Sequence, residues 1–173
     1  EAYEMKMEGP IANYVGVRYT KTDRGYFMDQ ELRVRALAAR LGIKKGLNTR
    51  TPYKTVKPFG KLELDDHEET RKELEKTYGF HLRNVIGEML HIAQTTRPDV
   101  SVAISALASH ARMVSDEIFR ETVRMVRYLL TTCDLGVHVT TEDIGEGGKC
   151  WLELVLSQRA KAKHRKFIFL LYV

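Results

Sequence analysis

The hydrophobic and polar positions fall into three regimes along the chain. Near the N-terminus Tyr14-Val-Gly-Val-Arg-Tyr19 and Gly25-Tyr-Phe-Met28 are strand-like runs separated by the polar Thr20-Lys-Thr-Asp-Arg24, which predicts a β-hairpin. Asp29 then stands as an N-cap, and Leu32, Val34, Leu37, Ala38 and Leu41 recur at helical spacing until Gly42. Residues 48–60 read as a basic loop that Pro52 and Pro58 keep from being helical. A helix is expected to begin within 65–75, and Leu82, Val85, Ile86, Met89, Leu90, Ile92 and Ala93 predict a stronger one ending near Thr95.

Pro98 suits the first turn of the next helix, read over Val100 to Met113 with Val102, Ala103, Ala106 and Leu107 among its small residues. Ser115 opens a third, carrying Ile118, Phe119, Thr122, Val123, Val126, Leu129 and Leu130 until Thr131-Thr132. Three consecutive helices with short connections predict a small bundle, with Ile86, Met89, Leu90, Ala103, Leu107, Val123, Val126 and Leu130 facing one another. After Asp134 the period changes to two: Leu135, Val137 and Val139 alternate, and Trp151 to Leu156 forms a second strand. No structure is assigned to 157–173. The fold class expected is α+β, divided into a hairpin (1–28), a helical region (29–133) and a short β element with a basic tail (134–173).

At 173 residues the chain can bury a core without metal or disulfides, and its longest apolar run, Phe167 to Val173, is too short to span a bilayer. Nothing near Glu1 has the apolar stretch of a signal peptide, and a start at Glu rather than Met suggests a fragment or processed piece. Two cysteines fit an intracellular, reducing compartment, which is as far as localisation can be read. The net charge of +5 changes the picture only through its location. Residues 157–173 hold five cations, Arg159, Lys161, Lys163, Arg165 and Lys166, and no acid, so 23 basic and 23 acidic residues remain before them.

Little in the chain points to catalysis. Walker, GxGxxG and GxSxG patterns are absent from the sequence, and the spacing of Cys133, His138, Cys150 and His164 lacks the paired ligands of zinc sites. Asp65-Asp-His-Glu-Glu69 reads as a solvated helix start rather than a magnesium site, and His81, His91 and His110 as ordinary histidines, so no metal or cofactor is expected. Arg120, Arg124 and Arg127 share one helical face. Such a row either tracks phosphates or pairs with Glu117 and Glu121 on the same helix; both readings stay open. Arg50, Lys54 and Lys57 in the loop are further phosphate candidates, and the tail could touch nucleic acid or an acidic partner.

Several blocks together resemble a family. Tyr3-Glu-Met-Lys-Met-Glu-Gly-Pro10, Tyr14-Val-Gly-Val17, Gly25-Tyr-Phe-Met-Asp-Gln30, Leu41-Gly-Ile43 and Thr51-Pro52 are similar to the palm end and thumb of copia-type retrotransposon reverse transcriptases. Arg83-Asn-Val-Ile-Gly-Glu-Met-Leu-His-Ile-Ala93, Thr96-Arg-Pro-Asp-Val100, Val123-Arg-Met-Val-Arg-Tyr-Leu129 and Asp134-Leu-Gly136 are similar to that family's connection to RNase H. The resemblance, over about residues 3 to 137, implies a primer-grip-like hairpin (Tyr14, Val15, Gly16, Val17, Gly25, Tyr26, Phe27) and a thumb holding an RNA–DNA or other nucleic acid. It also implies departures. The family's paired polymerase aspartates lie upstream of the hairpin and are missing here, and if Ser157 aligns with the family's Ser after the strand, Gln158 falls where RNase H places a metal-binding Asp. The chain is thus expected to be non-catalytic: a primer–template-holding piece of an RNA-directed DNA polymerase, or a retrotransposon-derived structural subunit held by other proteins.

Overall fold

The computed structural model describes residues 12–23, 25–44, 49, 51–52, 68–111, 115–140, 151–155 and 167–170. The architecture is α+β, with two compact units, 1–30 together with 136–173, and 31–135.

The first unit is a six-stranded antiparallel sheet in sequence order: β1 (Asn13–Tyr14), β2 (Val17–Thr22), β3 (Gly25–Asp29), β4 (Gly136–Thr140), β5 (Trp151–Val155) and β6 (Phe167–Leu170). The helical unit is therefore an excursion between two paired neighbours, with Met28 opposite Val137 and Phe27 opposite His138. The predicted hairpin is present with different limits. The run Tyr14 to Tyr19 is broken at Val15-Gly16, where both residues have positive φ (50° and 77°), as a two-residue type I′ turn demands. β2 continues through Thr20-Lys-Thr22, read from sequence as linker, because threonine and alternating polar side chains suit a pleated strand with one wet face. Asp29 is not an N-cap. It closes β3 opposite Arg18, whose Nε donates to its carboxylate at 2.9 Å, so the acid makes a cross-strand ion pair. The tail segment left unassigned from sequence supplies β6, paired with β5 from Trp151↔Leu170 to Leu154↔Phe167.

The second unit comprises α1 (Glu31–Arg40), α2 (Glu68–Tyr78), α3 (Leu82–Thr95), a 3-10 turn (Pro98–Val100), α4 (Ser101–Ser109) and α5 (Asp116–Thr131). α1 ends in a Schellman motif, with Ile43 N–H donating to Ala38 C=O and Gly42 N–H to Ala39 C=O. Its buried stripe is Val34, Leu37 and Ala38, with Leu41 packed beside it; Leu32 is exposed because it lies two residues off that stripe. α4 stops at Ser109, short of the predicted Met113. The Ala106 carbonyl, which a continuing helix would offer to the His110 N–H, is taken by Ser109 Oγ (2.9 Å) and His110 Nδ1 (2.8 Å). Val102 is 85% exposed, and Ile104 with Leu107 forms the inward face instead.

Of the expected core, Ile86, Met89, Leu107, Val126 and Leu130 are buried, and Leu90, Ala103 and Val123 pack against it half-buried. Met125, absent from that expectation, is fully buried. Tyr78 stacks on Phe119 (centroids 5.0 Å apart) and meets Phe80 edge-on, which holds the end of α2, a helix with no buried residue of its own. α5 starts at its Ser115 cap, whose side chain accepts from the Ile118 N–H. Ser115→Ala should cost about 1 kcal/mol in urea unfolding followed by helical circular dichroism, since the first turn would lose its side-chain acceptor and the Ile118 N–H would keep only the Ser115 carbonyl.

Candidate nucleic-acid interface

α5 presents the arginine row because its heptad-like apolar positions (Ile118, Phe119, Thr122, Met125, Val126, Leu129) turn the opposite side outward. The three arginines differ in what they touch. Arg120 is 74% exposed and pairs with Asp116 one turn earlier, not with Glu117 or Glu121 as one sequence reading had it. Asp116 also accepts from Tyr78 Oη at 2.6 Å, and that bond raises the Tyr78 phenol above its ordinary range. Arg127 is exposed, and no hydrogen bond or ion pair among the described residues engages its side chain. Arg124 is half-buried: its Nη2 donates to Thr51 Oγ1 at 3.2 Å, while its Nε is sealed from solvent without an acceptor among the described residues. Glu121 Oε2, on the same helix, is likewise sealed without a donor.

The Arg124–Thr51 bond draws the start of the basic loop onto α5, a link that the separate motifs did not announce. Arg50, Lys54 and Lys57 lie outside the described residues, as do the tail cations Arg159, Lys161, Lys163, Arg165 and Lys166.

In the sheet unit, the grip-like residues divide by exposure. Tyr14 (63%) and Val15 (60%) stand out at the β1–β2 turn, with Gly16 exposed beside them and Tyr26 exposed on β3; Val17, Gly25 and Phe27 are buried. Val15 is β-branched and sits in the left-handed region, a conformation that costs free energy and persists only where the surrounding turn imposes it. The half therefore able to meet a ligand is Tyr14, Val15, Gly16 and Tyr26. His138 is buried on β4, its Nε2 2.7 Å from Thr22 Oγ1 across β3. Cys133 is buried in the helical core, and Cys150 and His164 lie outside the described residues.

Sequence reading did not foresee the cluster around Arg97, although the Thr-Arg-Pro-Asp block contains it. Arg97 forks onto Asp99 (2.8 and 2.8 Å) and bonds the carbonyl and hydroxyl of Thr132 (2.9 and 2.8 Å). Tyr128 lies over its guanidinium, and burial, with Asp99 beside it, raises that phenol's pKa. Each of these contacts ties the helical core together rather than reaching outward. His81 bonds Glu75 at 2.7 Å at the α2–α3 junction. No helix among the described residues is long and apolar enough to cross a membrane.

Over 139 residues, 80% of the chain, the sequence is 26% identical to a retrovirus-related Pol polyprotein from transposon RE2 of Arabidopsis thaliana. The chain spans 9% of that protein's length. No protein-family model matches the chain, and no solved structure matches it. The sequence is thus retrotransposon-related.

Proposed function

We propose that this chain is the thumb and connection portion of a copia-like reverse transcriptase, a non-catalytic element that holds a primer–template duplex by its phosphates. The observation that carries this reading is the Thr51–Arg124 bond, which draws the beginning of the basic loop to the same helix that bears Arg120 and Arg127. Arginine rows suit this task because each guanidinium can meet a phosphate without reading a base. In this reading Tyr14, Val15, Gly16 and Tyr26 position the backbone of one strand. The non-catalytic part of this reading rests on the resemblance alone, in which Gln158 would take the place of an RNase H metal-binding Asp.

One observation favours a second reading, a structural subunit of a larger assembly: Arg120 is already neutralised by Asp116 within its own helix. Salt dependence separates the two. An RNA–DNA hybrid should bind with an affinity that falls steeply with salt, since each phosphate contact releases a counterion. Replacing Arg120, Arg124 and Arg127 with Ala should flatten that dependence by about one unit of log–log slope for each phosphate no longer neutralised. Replacing Arg159, Lys161, Lys163, Arg165 and Lys166 with Gln, which spares β6, should remove only part of the binding. Binding that ignores the three arginines and vanishes with those tail cations would sink the thumb reading in favour of the second.

A further inference from the structure

We propose that one face of the sheet unit binds an unpaired nucleic-acid strand, with a base stacked on each of three tyrosines set diagonally across β1–β3. In an antiparallel sheet, paired residues share a face and every second residue of a strand returns to it. Tyr14 pairs with Val17, two residues before Tyr19 on β2, and Tyr19 pairs with Met28, two residues after Tyr26 on β3. The three tyrosines therefore stand on one face, one per strand, each a diagonal neighbour of the next at about 7–8 Å. Tyr14 and Tyr26 are exposed, and Tyr19 is half-buried between them. Aromatic pairs hold each other at ring separations of about 4.5–7 Å, and no ring contact or side-chain hydrogen bond among the described residues engages any of these three. Each keeps a π face for a ligand.

The charge on this face selects the occupant. Lys21 pairs with Tyr26 and is exposed, which sets a cation beside that tyrosine. By the register, the other described residues of the face in β1–β4 are Val17, Met28, Val137 and Val139, so no carboxylate there opposes a phosphate. Every base has a π face, so separated rings with a cation at one end suit a single strand whatever its sequence. A duplex keeps its bases stacked on one another and offers the rings nothing. The inference rests on the reading of Tyr14 and Tyr26 as nucleic-acid contacts, adds Tyr19 and Lys21 to them, and is independent of the arginines of α5.

The test uses the full chain and a fluorescein-labelled oligothymidylate of about 20 bases, read by anisotropy across a salt series. Tyr14→Phe and Tyr26→Phe keep the ring and should match the parent. Tyr14→Leu and Tyr26→Leu keep an apolar side chain without the ring, and each should weaken binding by at least about fivefold, the low end of stacking one base. Lys21→Gln should lower the log–log salt slope by about 0.7, one phosphate contact on a single strand. Tyr19 is half-buried, so it stays intact and is located by photocrosslinking to a bromodeoxyuridine-substituted oligonucleotide mapped by mass spectrometry, with crosslinks expected at all three tyrosines. Leucine variants that bind like the phenylalanine variants would overturn stacking. Oligonucleotide binding that depends instead on Arg120, Arg124 and Arg127 would place the strand on α5 and overturn the site. Tyrosine-dependent self-association in sedimentation, without oligonucleotide binding, would make the face a contact between copies and overturn the proposal too. The two readings fail separately. Tyrosine-dependent oligonucleotide binding with no binding of RNA–DNA hybrid would sink the thumb reading and leave the platform, whereas arginine-dependent hybrid binding with no oligonucleotide binding would do the reverse.

Discussion

Replacing Arg97 with Met is expected to destabilise the helical unit by about 3–5 kcal/mol, measured by urea unfolding followed at 222 nm. Arg97 is 2% exposed, yet four hydrogen bonds and an aromatic face surround its charge. Two of those bonds form a fork onto Asp99, just inside the 3-10 turn; the other two hold Thr132, the C-cap of α5. A helix C-terminus leaves carbonyls without intrahelical donors, and Arg97 Nη1 supplies one to Thr132 at 2.9 Å. Methionine fills similar space but removes the Arg97 donors, leaving the Thr132 carbonyl with the Leu135 N–H alone and the Asp99 carboxylate with the Tyr128 hydroxyl in place of a guanidinium fork. Arg97→Lys should recover less than half of the loss, because an ammonium cannot reach a carboxylate and a carbonyl with fixed forked geometry. Adding Asp99→Asn to Arg97→Met should restore part of the stability, since the stranded charge is what costs most. A loss below about 1 kcal/mol for Arg97→Met would refute the view that this arginine is a structural tie.

Arg97 also shows where the sequence was legible and where it was not. The Thr-Arg-Pro-Asp block stood out as a motif, and Pro98 marked the turn correctly, but a cation in sequence carries no sign of burial. Two of its four bonds go to Thr132, 35 residues away, and no local pattern connects them. The helices were readable because one period ran through each: α3 over Leu82–Thr95 and α5 over Asp116–Thr131 fall where the apolar spacing and Ser115 put them. Local chemistry misled where a tertiary partner outbid it. Asp29 looks like a cap until Arg18 lies across from it, and Val102 looks inward until Ile104 and Leu107 set the face of α4. The sheet was the least legible element. β3 and β4 are neighbours separated by 106 intervening residues in the chain, from Gln30 to Leu135, a pairing fixed by non-local register alone. On the candidate interface, the arginine row was visible as spacing, whereas the Thr51 bond that distinguishes Arg124 from its neighbours required the fold.

The second large effect is expected at Gly136, the last residue of the Asp-Leu-Gly block and the first of β4. A Cβ placed there would lie 2.3 Å from the Met28 carbonyl oxygen and 2.7 Å from Phe27 Cζ, both on the neighbouring strand. Phe27 is itself buried, and its ring occupies the space a side chain at 136 would need. Even alanine therefore forces β3 and β4 apart near the point where Met28 pairs with Val137. Overpacking of this kind costs about 1–3 kcal/mol, and valine, with two further methyls against the same carbonyl, should reach about 3 kcal/mol or more. Amide hydrogen exchange of β3 and β4 across a urea series follows the sheet unit during denaturation. The ring and the carbonyl make separable demands. If the ring alone excluded a side chain, Phe27→Leu would create room, and Gly136→Ala would cost little in that background. The carbonyl is backbone and stays where the β3–β4 ladder puts it, so Gly136→Ala should still destabilise the Phe27→Leu protein by at least about 1 kcal/mol. Full rescue by Phe27→Leu would show instead that the strand spacing can yield, and that the glycine answers to its aromatic neighbour rather than to the ladder.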